Sequence, residues 1–313
     1  MASLKEIKGR ITSVSGTLKI TSAMKLVASA KLRKAQQAIT NMLPYEHQLQ
    51  SIFGRLMAAC PDAGALGAGA SSGPGRIAIV AFSSNSSLCG AFNANAIRKT
   101  LAVIDEYQSA GYSPEDIIVY SVGRKMAEAM RKAGFLSPSD YSKMAETPGY
   151  EAASALAKEL VDGFSSGLYS KVELVYNHFK STASQPTVRE TFLPMSIEGS
   201  LDSIAVSDDA SLDSDAPNAQ HNRPSPEPVP DDIIIEPSPK DLLEELLPKV
   251  QHLKIYTTLL DSNAAEHAAR TVAMQTATDN GNDLLEQLTL EYNKGRQQKI
   301  TSEILDIVGG TLQ

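Results

Sequence analysis

Residues 4–38 read LKEIKGRITSVSGTLKITSAMKLVASAKLRKAQQA. Apolar side chains fall at Leu4, Ile7, Ile11, Val14 and Leu18, alternating steps of three and four that make a heptad seam. The register runs on through Thr21, Lys25, Ala28, Leu32, Ala35, Ile39 and Met42. Two seam positions, Thr21 and Lys25, are therefore polar, and a second apolar strip (Ile20, Met24, Val27) opens beside them. A helix apolar on more than one side touches more than one neighbour. On this reading Thr21 and Lys25 mark where the helix leaves its own partner and meets something else. Pro44 is expected to kink or interrupt the helix, with the pattern resuming to Ala59.

The same stretch is strongly basic. Residues 1–40 hold Lys5, Lys8, Arg10, Lys19, Lys25, Lys31, Arg33 and Lys34 against Glu6 alone, a net +7. The whole chain of 313 residues carries −7, so the remainder carries −14. Such asymmetry gives the segment its own partner. An acidic chain is a poor general nucleic-acid binder, so no nucleic acid is expected. Interfacial membrane helices carry aromatic anchors that this one lacks. A shaft with exposed basic sides fits both the heptads and the charge.

Further along, the periodicity changes. PDAGALGAGASSGPG (61–75) reads as a linker. IAIVAF (77–82), IIVYSV (117–122), VELVYNHF (172–179) and VRETFLPM (188–195) read as strands, with helices over 124–133 and 150–165. Strands alternating with helices predict an α/β domain over 76–198 with a mainly parallel sheet. Residues 199–237 are acidic and proline-rich, a composition expected of a solvated, mobile insertion. Helix restarts at 238, with Ser238 as N-cap, Pro239 at N1 and Asp241 at N3. It is disturbed at Pro248 and continues to Val308, where Gly309 and Gly310 end it.

Two long helices, 1–60 and 238–313, thus flank one small domain. One enters it and the other leaves, so side by side they run antiparallel. At about 1.5 Å per residue they make rods of about 80 and 105 Å, and the longer one ends alone. Its tip carries Ile300, Ile304, Leu305, Ile307 and Val308, too apolar to stand free in water.

The chemistry-bearing candidates are weak. No GxxxxGK[ST] loop exists, and GALGAG (64–69) belongs to the linker. Cys60 and Cys89 have no metal-ligand spacing and are too few for a disulfide framework. Cys89 follows a strand, where a small buried thiol or a tight turn at Cys89-Gly90 fits better than a nucleophile. His267 has no ligand set one helical turn away, while Glu266 and Arg270 form an i, i+4 ion pair. Ala264, Ala265, Ala268 and Ala269 allow close helix approach. MASLKEIKGRITSV has no apolar leader core, and no run of 18 apolar residues exists. A small-molecule enzyme built on the α/β domain and a free-standing coiled-coil adaptor both stay open on these grounds.

Four stretches narrow this. IKGRITSVSGTLKITSAMKLVASAKLRKAQ, SLCGAFN (87–93), EPSPKDLLEELLP (236–248) and SNAAEHAARTVAMQTATDNGNDLLEQLTLEYNKGRQQKITSEILDIVGG closely resemble the γ subunits of F-type ATP synthases. The resemblance implies a central rotor shaft: a long antiparallel coiled coil flanking a small Rossmann-like α/β domain. The paired helices would thread a hexamer of three α and three β subunits, and the domain would meet the ε subunit and the membrane c-ring. Proton flow would turn ring and shaft, driving the β sites through their states. The chain itself would be non-catalytic and hold no cofactor, metal or nucleotide. It would lie peripherally on the cytoplasmic face of a bacterial inner membrane, held there through the c-ring sector. By motif position, Met24 and Lys25 meet acidic levers of β. Arg296, Gln297, Thr301 and Glu303 match a polar cluster engaging β loops, and Arg270 matches the family's shaft arginine, which is likewise expected to contact the hexamer. Ile304, Ile307 and Val308 match the tip held in an apolar bearing. The acidic segment 199–237 exceeds the minimal family pattern, and neither cysteine lies in it, so no thiol switch is expected.

Overall fold

A computed structural model describes residues 3–59, 75–195, 236 and 238–310. The linker read at 61–75 (save Gly75), Cys60, and the insertion read at 199–237 (save Glu236) lie outside the described residues. In chain order the elements are α1 (Leu4–Ala59), β1 (Arg76–Phe82), α2 (Phe92–Ser109), β2 (Ile117–Val122), α3 (Arg124–Lys132), α4 (Ser142–Glu146), α5 (Tyr150–Ser165), β3 (Tyr169–Asn177), β4 (Thr187–Leu193) and α6 (Pro239–Gly310).

Helices α1 and α6, of 56 and 72 residues, form the shaft. They are antiparallel and in constant register. Leu4 lies over Gly295 and Leu18 over Gly281, where a Cβ would come within 3.1 and 2.7 Å of the leucine side chains. The hydroxyls of Thr21 and Thr278 meet at 3.1 Å. Leu32 and Ala35 pack on Ala264 and Ala268, and Leu49, Phe53 and Leu56 pack on Leu243, Val250 and Leu253. Thr21 therefore does not mark a departure from the partner helix. Its hydroxyl is satisfied across the seam, which removes the cost of a polar group there.

Neither proline interrupts its helix: Pro44 lies inside α1 and Pro248 inside α6. Each costs one backbone hydrogen bond and some steric strain. Both sit in the stretch where Met42, Leu49, Phe53 and Leu56 pack against Leu242, Leu243, Leu246 and Val250, and that burial carries the backbone through. The start of α6 is capped as expected, Asp241 N donating to Ser238 Oγ at 3.2 Å and Ser238 Oγ to Asp241 Oδ2 at 2.7 Å.

The foot is a four-stranded sheet in the order β2-β1-β3-β4. β2, β1 and β3 are parallel, and β4 runs antiparallel at one edge. Alternation along β1 assigns the two faces. Ala78, Val80 and Phe82 join Leu156, Leu160 and Phe164 of α5 and Ile255 and Leu259 of α6. Ile77, Ile79 and Ala81 join Ala96, Val103 and Ile104 of α2 and Met126 and Met130 of α3. One face is thus closed by the shaft itself. Helix α2 is an element the strand-by-strand reading passes over. Its buried residues Phe92, Ala96, Thr100, Val103 and Ile104 do carry a helical spacing, but a polar residue and an alanine among them blur it.

The turn from β2 into α3 leaves no room for a side chain. Gly123 has φ +105°, and a Cβ there would collide with the carbonyl oxygen of Ser83. Ser83 is itself fixed, its N–H donating to Val122 O at 2.8 Å and its Oγ accepting from Met126 N at 2.8 Å. Gly123→Ala should therefore destabilise the foot by more than about 3 kcal/mol, strain and backbone collision adding. Chemical denaturation monitored by circular dichroism checks this; a loss below about 1 kcal/mol would mean that the turn relaxes.

Candidate functional site

Three surfaces of the shaft bear on function: its free tip, the basic side of α1, and the joint where α6 crosses the foot. The tip begins where α1 runs out. With Leu4 beside Gly295, residues 296–310 of α6 stand without a partner helix among the described residues. Arg296, Gln297, Thr301 and Glu303 are exposed there, with Lys299 Nζ 3.7 Å from Glu303 and Thr301 Oγ1 donating to Gln297 O at 2.9 Å. Ile300, Ile304, Leu305 and Ile307 are exposed too, Ile307 at 68%. Val308 belongs to the helix, but its side chain lies outside the description. An apolar single helix of this kind is an interaction surface.

On α1, Met24 and Lys25 are half-buried, while Ile20, Leu26 and Val27 beside them are exposed, Leu26 at 71%. The second apolar strip is thus left open on the outside of the shaft. Among the described residues none of the basic side chains of residues 3–40 forms an ion pair within the chain. The charge that distinguishes this helix remains available to a partner.

The joint is polar, half-buried at most positions and fully buried at Glu266 and Arg270. His252 Nδ1 lies 3.3 Å from Ser154 Oγ, and Lys254 Nζ lies 2.7 Å from Glu190 Oε1. Asp261 accepts from His178 Nδ1 at 2.6 Å and from Phe179 N at 2.9 Å, and Asn263 Nδ2 donates to Ala145 O at 3.3 Å. Arg270, 8% exposed, donates from Nη1 to Ser87 O at 2.6 Å and from Nη2 to Glu266 Oε1 at 2.7 Å. Arg270 is therefore spent inside the chain, clasping the loop after β1, while the other motif-matched residues, Val308 apart, lie on the surface or, like Met24 and Lys25, half-buried. The ion pair with Glu266 is the one expected from spacing, and it is buried. Burial raises the Glu266 pKa, and the Arg270 charge and hydrogen bond oppose that rise.

Cys89 is buried, with Asn93 Nδ2 3.1 Å from its sulfur, in a turn where Leu88 and Gly90 both have positive φ. It is a packed thiol. Among the described residues no cluster of three or more His, Cys, Asp or Glu side chains is placed to hold a metal, and no helix is long and apolar enough to cross a membrane. At the carboxyl ends of β1 and β2, where open α/β sheets take ligands, α6 fills the space. Leu259, Ser262, Asn263 and Glu266 close over Phe82, Ser83, Val122 and Ala145, leaving about 10 Å³. The N-terminus of α3, another natural anion site, is already occupied by the chain: Arg124 N donates to Asn85 Oδ1 at 2.9 Å and Lys125 N to Ser84 O at 3.2 Å.

This shaft-and-foot arrangement has known counterparts. The ATP synthase family model matches residues 3–312. The chain belongs to the ATP synthase gamma chain family. It is 50% identical over 319 residues to the ATP synthase gamma chain of Phocaeicola vulgatus and 49% identical over 320 residues to that of Bacteroides fragilis strain YCH46, covering all of each. Its fold is similar to a chain in the Euglena gracilis mitochondrial ATP synthase, with a TM-score of 0.60 at 19% identity, covering 99% of this chain and 93% of that one. A chain of the Euglena gracilis rotor gives a TM-score of 0.54. The expected fold class, a long antiparallel coiled coil flanking a small α/β domain, is the one observed.

Sequence reasoning missed the joint. Asp261 and His178 are separated by 83 positions, and no local pattern links them. The alanine run at 264–269 was the available signal: Ala264 and Ala268 face α1, while Ala265 and Ala269 face Cys89 and Phe92 of the foot.

Two histidines give the joint opposite responses to pH. His267 is buried with its Nδ1 unpaired, and burial, then the charges of Lys31 and Arg270, push its pKa down to about 4. Its folded pKa is depressed, so the neutral form's stabilisation is present above the ordinary 6.5 and lost as pH falls toward about 4. His178 is raised by its hydrogen bond to Asp261, so its contribution is present below 6.5 and lost as pH rises through the raised value. Unfolding free energies of the chain should therefore drop across the His267 window by on the order of 3 kcal/mol. His267→Gln should remove that part of the slope. An unchanged slope in the variant would assign the acid sensitivity to carboxylates instead.

Proposed function

We propose that this chain is the central rotor shaft of a proton-translocating ATP synthase. Its shaft threads a hexamer of three α and three β subunits, and its foot meets the ε subunit and the c-ring. It is non-catalytic: nucleotide is bound and turned over on the hexamer, and the gamma chain sets the state of each β site by its orientation. It resides peripherally at the cytoplasmic face of a bacterial inner membrane, attached through the c-ring. The observation that carries this reading is the tip. Fifteen residues of α6, 296–310, outrun α1 with isoleucines and a leucine outward, and such a helix needs an apolar sleeve.

The two remaining surfaces suit rotation. Torque needs contacts that push but do not lock. Lys25 and its basic neighbours, set beside the exposed Ile20, Leu26 and Val27, meet carboxylates of β at a wet interface. Exposed ion pairs are worth roughly 0–1 kcal/mol each, so they exchange as the shaft turns. Family membership and the assemblies that hold the fold's counterparts, which include F1, c-ring and rotor, support this reading.

Affinity-tagged chain expressed with its native complex should co-purify with three α and three β chains. A stable homodimer of the chain alone would instead make it a coiled-coil adaptor. Ile304→Asp together with Ile307→Asp should weaken retention of the chain in the hexamer by about 2 kcal/mol per site, read from dissociation on dilution. Lys25→Glu with reversal of its basic neighbours should lower torque in single-molecule rotation. Normal torque in that variant would remove the electrostatic part of the mechanism.

A further inference from the structure

Between shaft and foot, two kinds of contact hold α6. Ala265 and Ala269, which face Cys89 and Phe92 of the foot, are small, and apolar contact is non-directional. Beyond Ile255 and Leu259, which enter the core of the foot, the apolar seat of α6 is made of alanines, and so smooth a stretch resists being pulled away better than it resists rolling about its own axis. Directional contacts must oppose the roll. Of the polar ties along α6, Asp261 is the one that receives two donors from one point of the foot. His178 Nδ1 and Phe179 N both reach it, at 2.6 and 2.9 Å. That point is stiff. It follows the end of β3 directly, and His178 N donates to Pro186 O at 2.9 Å, which fastens it to the entry of β4. The Phe179 ring packs beside Leu32, Ala35, Ala264 and Ala268, between the two shaft helices. A carboxylate held by a backbone N–H and a ring nitrogen is also among the stronger hydrogen-bonded arrangements.

We propose that Asp261, gripped by His178 and the Phe179 amide, is the torque catch of the rotor: the contact that fixes the rotational setting of α6 on the foot. The proposal rests on the rotor reading above and assigns a positioning residue within it. The catch occupies the carboxyl end of β3, part of the edge of the sheet where doubly wound folds ordinarily take a ligand. Here the carboxylate of the shaft plays the ligand's part. Lys254–Glu190 and Arg270–Ser87 lie on either side of it along α6 and keep the helix axis in place.

The test uses the whole complex in proton-tight vesicles, with Asp261→Ala, Asp261→Asn and His178→Ala. Two quantities are read: amide exchange of the peptide spanning residue 179, and protons pumped per ATP hydrolysed. Asp261→Ala should speed exchange at that amide by about tenfold. It should also lower the pumping ratio several-fold, because hydrolysis turns a shaft that slips on its foot. Asp261→Asn keeps an acceptor for the Phe179 N–H and should recover most of both readouts. His178→Ala removes one donor, is less disruptive to folding, and should fall between wild type and Asp261→Ala. Faster exchange with a wild-type pumping ratio overturns the catch while leaving the rotor reading intact, as does unchanged exchange. A wild-type chain that neither assembles with the hexamer nor supports pumping overturns the rotor reading itself.

Discussion

Everything in this molecule depends on two helices from opposite ends of the chain closing on one another in a single register. Leu4 over Gly295, Leu18 over Gly281 and Thr21 against Thr278 are the same pairing repeated along the shaft. Glycines and alanines on α6 face leucines on α1, so the axes approach closely and each large side chain has one hole to enter. A slip by one residue would place Leu18 over a side chain instead of a glycine. The close pairing also explains how two prolines survive inside long helices: the packing around them offsets what each local defect costs.

The length difference between the helices then becomes functional. Because the register is fixed from the foot outward, the excess of α6 is all delivered to one end. A compact foot at the other end forces the asymmetry, since α6 must also cover a face of the sheet through Ile255 and Leu259. The same helix is core element, coiled-coil partner and bare tip along successive stretches, and its hydrophobic pattern changes accordingly.

The buried polar groups at the joint explain why an α/β foot need not be a nucleotide site. Its ligand crevice is closed by Ser262, Asn263 and Glu266 of the shaft, and the nearby helix N-terminus is capped by Asn85 and the Ser84 carbonyl. The foot keeps the geometry of a binding fold and turns it toward holding a helix. Arg270, which its motif set among the contacts with the hexamer, belongs to this joint and is held by Ser87 and Glu266 of its own chain.

Much was legible beforehand because it is periodic. The heptad seam, the strands at 77–82 and 117–122, the cap at Ser238 and the free apolar tip are local patterns, written in the spacing of side chains. Helix α2 was harder, since Thr100 and Ala96 on its buried face do not read as apolar anchors. Side-chain spacing alone was enough for a basic, heptad-patterned entry helix, a longer exit helix and an α/β unit between them. That Thr21 is paired, that Arg270 and Glu266 are buried, and that Asp261 meets His178 emerged with the fold. The physical reason is that these groups acquire partners from distant segments. A side chain's periodicity is set by its own neighbours along the chain, whereas its hydrogen-bond partner and dielectric are set by whatever folds against it.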